Sequence, residues 1–151
     1  MRPDCILMKN PSALFRLLGL LHASLAMYVA DAGIWSYPGD EAIKLALVDL
    51  VGDHKNIVER AGTVLEQRHI HVPRLAYPIH FTATHDTDLR SLLPRILNEM
   101  RKQLVEIDEI IGSLSKTTDA DPLSLELALE ARDTTLGHSD VLGQLLVRQR
   151  A

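Results

Sequence analysis

Residues 68–86, RHIHVPRLAYPIHFTATHD, decide how this chain folds. The stretch holds Pro73 and Pro78 and shows no helical period. The segments on either side repeat apolar residues every three to four positions, the spacing of one stripe on an α-helix. Connections in compact domains have a median length of about five residues, so a link of about 20 has a task. A helix of about 27 residues is roughly 40 Å long, a distance that about 13 extended residues can span. The task is therefore topological: a crossover at 69–87 returns the chain along the length of a helical bundle.

Working outward, two helical segments precede the crossover, at about 11–32 and 39–68, and two follow it, at about 88–114 and 122–149. The first opens at Asn10-Pro11, a capping residue followed by proline at the first helical position, and ends near Gly33. The second begins after Pro38, with Asp40 and Glu41 in the first turn, where the helix dipole favours acids. Its stripe is Ile43, Leu47, Leu50, His54, Ile57, Ala61 and Leu65. The third carries Leu89, Leu93, Ile96, Met100, Gln103, Ile107 and Ile110, with Pro94 in its first turn if Ser91 is the cap and kinking it slightly otherwise. The fourth opens at Asp121-Pro122, again cap plus proline. Short links join the first segment to the second and the third to the fourth, which makes each pair an antiparallel hairpin. The expected fold is all-α: one domain over residues 1–151, a four-helix bundle with one long crossover between helices two and three.

Composition narrows the class. At 151 residues, 46% hydrophobic and 24% charged, the chain can bury a core without staples. Only 4% is aromatic, so that core is aliphatic. A net charge of −4 with no basic run argues against a nucleic-acid partner. The single cysteine, Cys5, excludes an intrachain disulfide and points to a reducing cytoplasm. Residues 12–30, SALFRLLGLLHASLAMYVA, are interrupted by Arg16 and His22, which argues against a membrane span. A signal-peptide reading has some support, because Arg2 and Lys9 precede the run and Val29-Ala30 resembles a cleavage site. The helix caps favour a buried helix instead. Its high apolarity suggests association, most simply a homodimer.

Three histidines carry the functional question. His22, His54 and His138 sit near the middle of three helical segments, each flanked at −7, −4, +3 and +7 by stripe positions. These are Phe15, Leu18, Leu25 and Val29 around His22; Leu47, Leu50, Ile57 and Ala61 around His54; and Ala131, Thr134, Val141 and Leu145 around His138. Three imidazoles at one height in a core suit zinc or another divalent metal with one open position, with Gln103 or Glu130 as fourth ligand. The other reading is a buried polar layer, each imidazole bonded to Thr134, Thr135, Gln103 or a water. Gly19, Gly52 and Gly137 lie within three residues of the histidines and suggest either room for a ligand or close helix approach. Asp49 and Asp133 precede core histidines by five residues, about 140° round the helix, and should face solvent; Asp53 is intermediate. Of the crossover histidines, His69 and His71 would share one side of an extended segment, His80 reads as a surface residue, and His85-Asp86 reads as a cap or turn. There is no nucleophile motif, phosphate loop or cysteine cluster.

Four long helices, a long second link and polar residues at mid-helix resemble the ferritin-like superfamily. The run VPRLAYPIHFTATHDTDLRSLLPRIL, residues 72–97, is also similar to an uncharacterised bacterial branch of such bundles. Di-iron members carry Glu on two helices and Glu-x-x-His on the other two. Here His54 and His138 stand at the histidine positions, but Val51 and Thr135 lie three residues before them, and the first helix offers His22 rather than Glu. Glu99 and Glu106 lie on the flank of the third. The resemblance therefore implies the fold without an intact di-iron centre. Two functions follow: a non-catalytic interaction protein with a degenerate metal centre, or a mononuclear zinc, iron or manganese protein, hydrolase or oxidoreductase, with ligands from His22, His54, His138, Glu130 and Gln103.

Overall fold

The computed structural model describes residues 3–33, 36–72, 76–116 and 121–150, with the side chains of 3–12, 85, 86 and 150 left aside. Every regular element among them is helical: α1 (Pro3–His22), α2 (Leu25–Ala32), α3 (Glu41–Gln67), a 3-10 segment (Ile79–Asp86), α4 (Leu89–Lys116) and α5 (Pro122–Arg150).

The amphipathic stripes are realised closely. All seven expected stripe positions of α3 are buried, and so are all seven of α4. Helix α5 opens as expected, with Asp121 accepting from the amide of Leu123 at 3.2 Å and from the Ser124 hydroxyl at 3.1 Å. Helix α4 is capped by Asp88 rather than Ser91. The Asp88 carboxylate accepts from the Ser91 amide at 3.4 Å and its hydroxyl at 2.5 Å, leaving Pro94 in the helix interior. Asp40 lies one residue before α3 rather than in its first turn.

The first leg departs most from expectation. It starts at Pro3, so Asn10-Pro11 lies inside α1. It then breaks at Ala23–Ser24, with 43° between residues 13–22 and 25–32. Ser24 caps α2, its hydroxyl accepting from the Met27 amide at 3.2 Å, a local bond that competes with continuing the helix. Gly33 closes α2 at φ 70, a conformation glycine adopts without a Cβ penalty. No single helix among the described residues is long and apolar enough to cross a membrane. The bent pair has the length and composition, yet Leu14, Leu17, Leu18, Leu21, Leu25, Met27 and Val29 are buried in the core. The apolarity that suggested a homodimer is consumed inside the protein.

Neighbouring legs run antiparallel, as their cross-links show. Arg16 meets Glu109 at 2.8 Å between α1 and α4, and Asp108 meets Arg132 at 3.1 Å between α4 and α5. Arg60 meets Glu130 at 2.7 Å between α3 and α5, where Arg68 also pairs with Asp121. Lys55 of α3 reaches Asp31 of α2 at 3.5 Å. Helices α3 and α4 start at the same end, where Arg90 donates to the fully buried Asp40 carboxylate from Nε at 3.1 Å and Nη2 at 2.9 Å. The chain must therefore travel the length of α3 between these helices, the task assigned to the crossover.

The crossover is not a passive strap. It leaves α3 through a Schellman closure: the Ile70 amide bonds the Leu65 carbonyl and the His69 amide bonds that of Glu66, both at 2.9 Å. His69 sits at φ 59, so it does not share an extended face with His71. A non-glycine residue there costs about 1 kcal/mol, and His69→Gly is expected to raise stability by about 0.5–1 kcal/mol in urea denaturation. No gain would show that the imidazole makes a compensating contact. Further on, Phe81 is buried and packs on Tyr28 at 5.8 Å between centroids, while Tyr77 meets Tyr28 edge-on at 5.2 Å. The Tyr77 hydroxyl donates to Asp31 at 2.6 Å. That bond holds the Asp31 carboxyl below its usual range, while burial and then the bond raise the Tyr77 phenol. Three of the six aromatic residues thus pin the crossover onto α2. The expected structureless link contains a 3-10 turn because an aromatic anchor holds it.

Candidate functional site

The apolar core falls into two clusters, one above the other. One joins Leu25–Val29, the first half of α3, Phe81, the first half of α4 and Leu142; the other joins Leu14–Leu21, the second halves of α3 and α4, and Leu127–Ala131. Between them, each leg contributes polar groups. These are the helix break at Ser24, His54 between Val51 and Ile57, Gln103 between Met100 and Ile107, and Thr135 between Ala131 and Leu142. A mid-height polar layer exists, and its members are bonded as follows.

His54 is 1% exposed. Its Nε2 lies 2.9 Å from Thr135 Oγ1, and its Nδ1 has no partner. Orphaned buried N–H groups are rarer than bare acceptors, which favours the tautomer whose Nε2–H donates to Thr135. Burial first, then the neighbouring His138, lowers its pKa to about 4, with Asp53 opposing. At neutral pH the ring is therefore uncharged and shielded from solvent.

The other sequence-derived candidates go elsewhere. His138 turns to the edge between α3 and α5, its Nε2 2.6 Å from Asp53 Oδ2. His22 lies at the end of α1 and stacks on Tyr77, centroids 6.1 Å apart and planes 8° from parallel. Its assignment to the core stripe assumed an unbroken helix through Leu25 and Val29. Gln103 donates from Nε2 to the Leu20 carbonyl at 3.3 Å. In an unbroken helix that carbonyl would accept from residue 24, so Gln103 satisfies an acceptor that the break releases. Glu130 binds Arg60 on the flank, each side chain 40% exposed. The structure thus does not gather the five into one ligand sphere. Among the described residues no group of three or more His, Cys, Asp or Glu is placed to hold a metal ion. His85 and Cys5, as side chains, lie outside the described residues.

The Asp53–His138 pair was missed because Asp53 lies about 100° round α3 from His54 and its partner sits on another helix. Thr135, by contrast, was legible as a hydroxyl one turn from His138. Asp49 and Asp133 are exposed, as expected. The glycines do not fit the close-approach reading: a Cβ at Gly19, Gly52 or Gly137 would meet nothing within 4 Å. They therefore do not serve close helix packing in this fold. Gly52→Ala and Gly137→Ala should each stabilise by about 0.5–1 kcal/mol, read as a higher denaturation midpoint. Destabilisation would reveal a partner pressed against that face.

Among the described residues, two depressions lie near the helix break and along α5. One, of about 210 Å³, lies at the helix break among His22, Met27, Asp31, Lys55, Val58 and Tyr77. The other, of about 730 Å³, is walled by Leu97 and Arg101 of α4 and by Asp140, Gly143, Val147 and Arg148 of α5. His54 and His138 line neither.

Fold and site together define a class: an all-helical protein whose apolar core is split by a bonded polar layer. The chain matches none of the family models, curated proteins or solved structures compared with it.

Proposed function

We propose that this chain is a ferritin-like four-helix bundle that works by association, its mid-bundle polar layer being structural rather than catalytic. The wiring supports the ferritin-like reading: two antiparallel hairpins joined by a crossover, with the second and third long helices running the same way. One observation carries the functional reading. Among the described residues the most buried imidazole, His54, spends Nε2 on a threonine hydroxyl and is held neutral by its burial. Such a layer specifies how helices stack, at some cost in stability. The second reading, a mononuclear zinc, iron or manganese site, draws on the unpartnered Nδ1 of the same ring.

Elemental analysis of untagged protein, together with light scattering at micromolar concentration, tests the proposal. Metal-free protein that associates and keeps its fold in chelator is the expected result. Stoichiometric metal lost in His54→Ala, or a strict monomer that captures no partner, overturns it.

A further inference from the structure

The larger depression lies between α4 and α5, and Gly143 is among the residues that line it. Gly143 is in the helix interior, and a Cβ there would meet nothing within 4 Å, so the missing side chain opens the hollow rather than relieving a contact. Along the same line of α5 stand Leu129, Leu136 and Val147, 40%, 41% and 68% exposed. With Gly143 they fall within about 40° of one another at about 100° per residue. Helix α5 thus presents an exposed knob, Leu136, seven residues from a hole, Gly143. Charges flank the line: Asp133, Asp140 and Arg148 on α5, and Arg101 across the hollow on α4. Among the described residues none of these four makes an ion pair or hydrogen bond.

We propose that a second copy of this chain seats its α5 antiparallel on this face, Leu136 of each copy filling the hollow over Gly143 of the other. This rests on the association reading and names its surface and its partner. The contact is isologous, so one knob and one hole on each chain suffice for a closed dimer. With the two-fold axis between Asp140 and Val141, Leu136 of one copy comes level with Leu145 of the other, between Gly143 and Val147. Asp133 then comes level with Arg148 of the second copy, and symmetry makes the pairing twice. The two Asp140 carboxylates approach near the axis, where Arg101 of each α4 stands on the adjoining wall. Unpaired charge of both signs at matching levels favours this partner over a uniformly acidic or basic one, and sets register more than affinity.

Sedimentation velocity on the full chain over a concentration series decides the matter. The wild type is expected to dimerise, and Leu136→Lys and Gly143→Leu each to weaken the dimer at least about tenfold. Both positions face outward and leucine is a better helix former than glycine, so circular dichroism and melting should show folded variants. Asp133→Arg should weaken the dimer, and adding Arg148→Asp should restore it. If the wild type dimerises but Leu136→Lys and Gly143→Leu leave the constant unchanged, this surface is wrong while the association reading stands. A wild-type monomer throughout the series overturns the proposed dimer, and partner capture then decides the broader reading separately.

Discussion

Acidification from pH 6.5 to pH 4 is expected to cost the fold about 3 kcal/mol at one side chain, His54. The sign follows from its partners. Unfolded, the ring takes a proton near 6.5; folded, burial and the adjacent His138 hold it down to about 4. Between those values the unfolded state binds the extra proton, so stability rises with pH across the window. His54's contribution is complete above 6.5, falls through the window and is gone below about 4. The depressed carboxyls of Asp31, Asp88 and Asp121 lose theirs at lower pH, below the ordinary carboxylate range. Urea denaturation of wild type and His54→Leu at several pH values isolates the effect. The variant keeps the volume and lets Thr135 turn to a backbone carbonyl one turn back. Its stability should lose that slope, and an identical slope in both proteins would place the acid sensitivity elsewhere.

Arg90→Met should destabilise the fold by about 2–3 kcal/mol, well above the worth of an ordinary surface ion pair. The asymmetry of the pair is the reason. Arg90 is half exposed, but Asp40 is 0% exposed and holds the Tyr37 amide at 2.9 Å as well as two guanidinium bonds. Removing the arginine strands a buried carboxylate, which costs more than losing the attraction. Asp40→Asn in the same background removes the charge but keeps an acceptor for Tyr37, and should recover most of the loss. The double-mutant cycle measures the coupling. A loss below about 0.5 kcal/mol in Arg90→Met would show that water reaches Asp40 and that the pair is a surface one.

How much was legible depends on how local the signal is. The stripes of α3 and α4 and the Asp121-Pro122 start are written in adjacent residues, because helical periodicity and capping act within one or two turns. His54 was legible as a core residue for the same reason. The break in the first leg was not, since Ser24 inside an apolar run suits a helix interior as well as a cap. What tips it is Gln103, which takes up the freed Leu20 carbonyl from another helix. That bond also explains the polar position in the α4 stripe, which sequence spacing offered as a metal ligand. His22 followed the break out of the core and onto Tyr77.

Sequence alone determined that the chain is helical, where its longest helices run, and that polar residues such as His54 and Gln103 interrupt their aliphatic stripes. It could do so because backbone periodicity and local caps do not need the rest of the molecule. Tertiary structure decided which way each polar group faces and which atom it meets. His54 pairs with Thr135, His138 with Asp53, Gln103 with a broken helix end, and Asp40 with Arg90. Those choices depend on the height and rotation of one helix against another, where one residue of register turns a side chain by about 100°. No local pattern specifies that; the packing of the two apolar clusters and the aromatic anchoring of the crossover do.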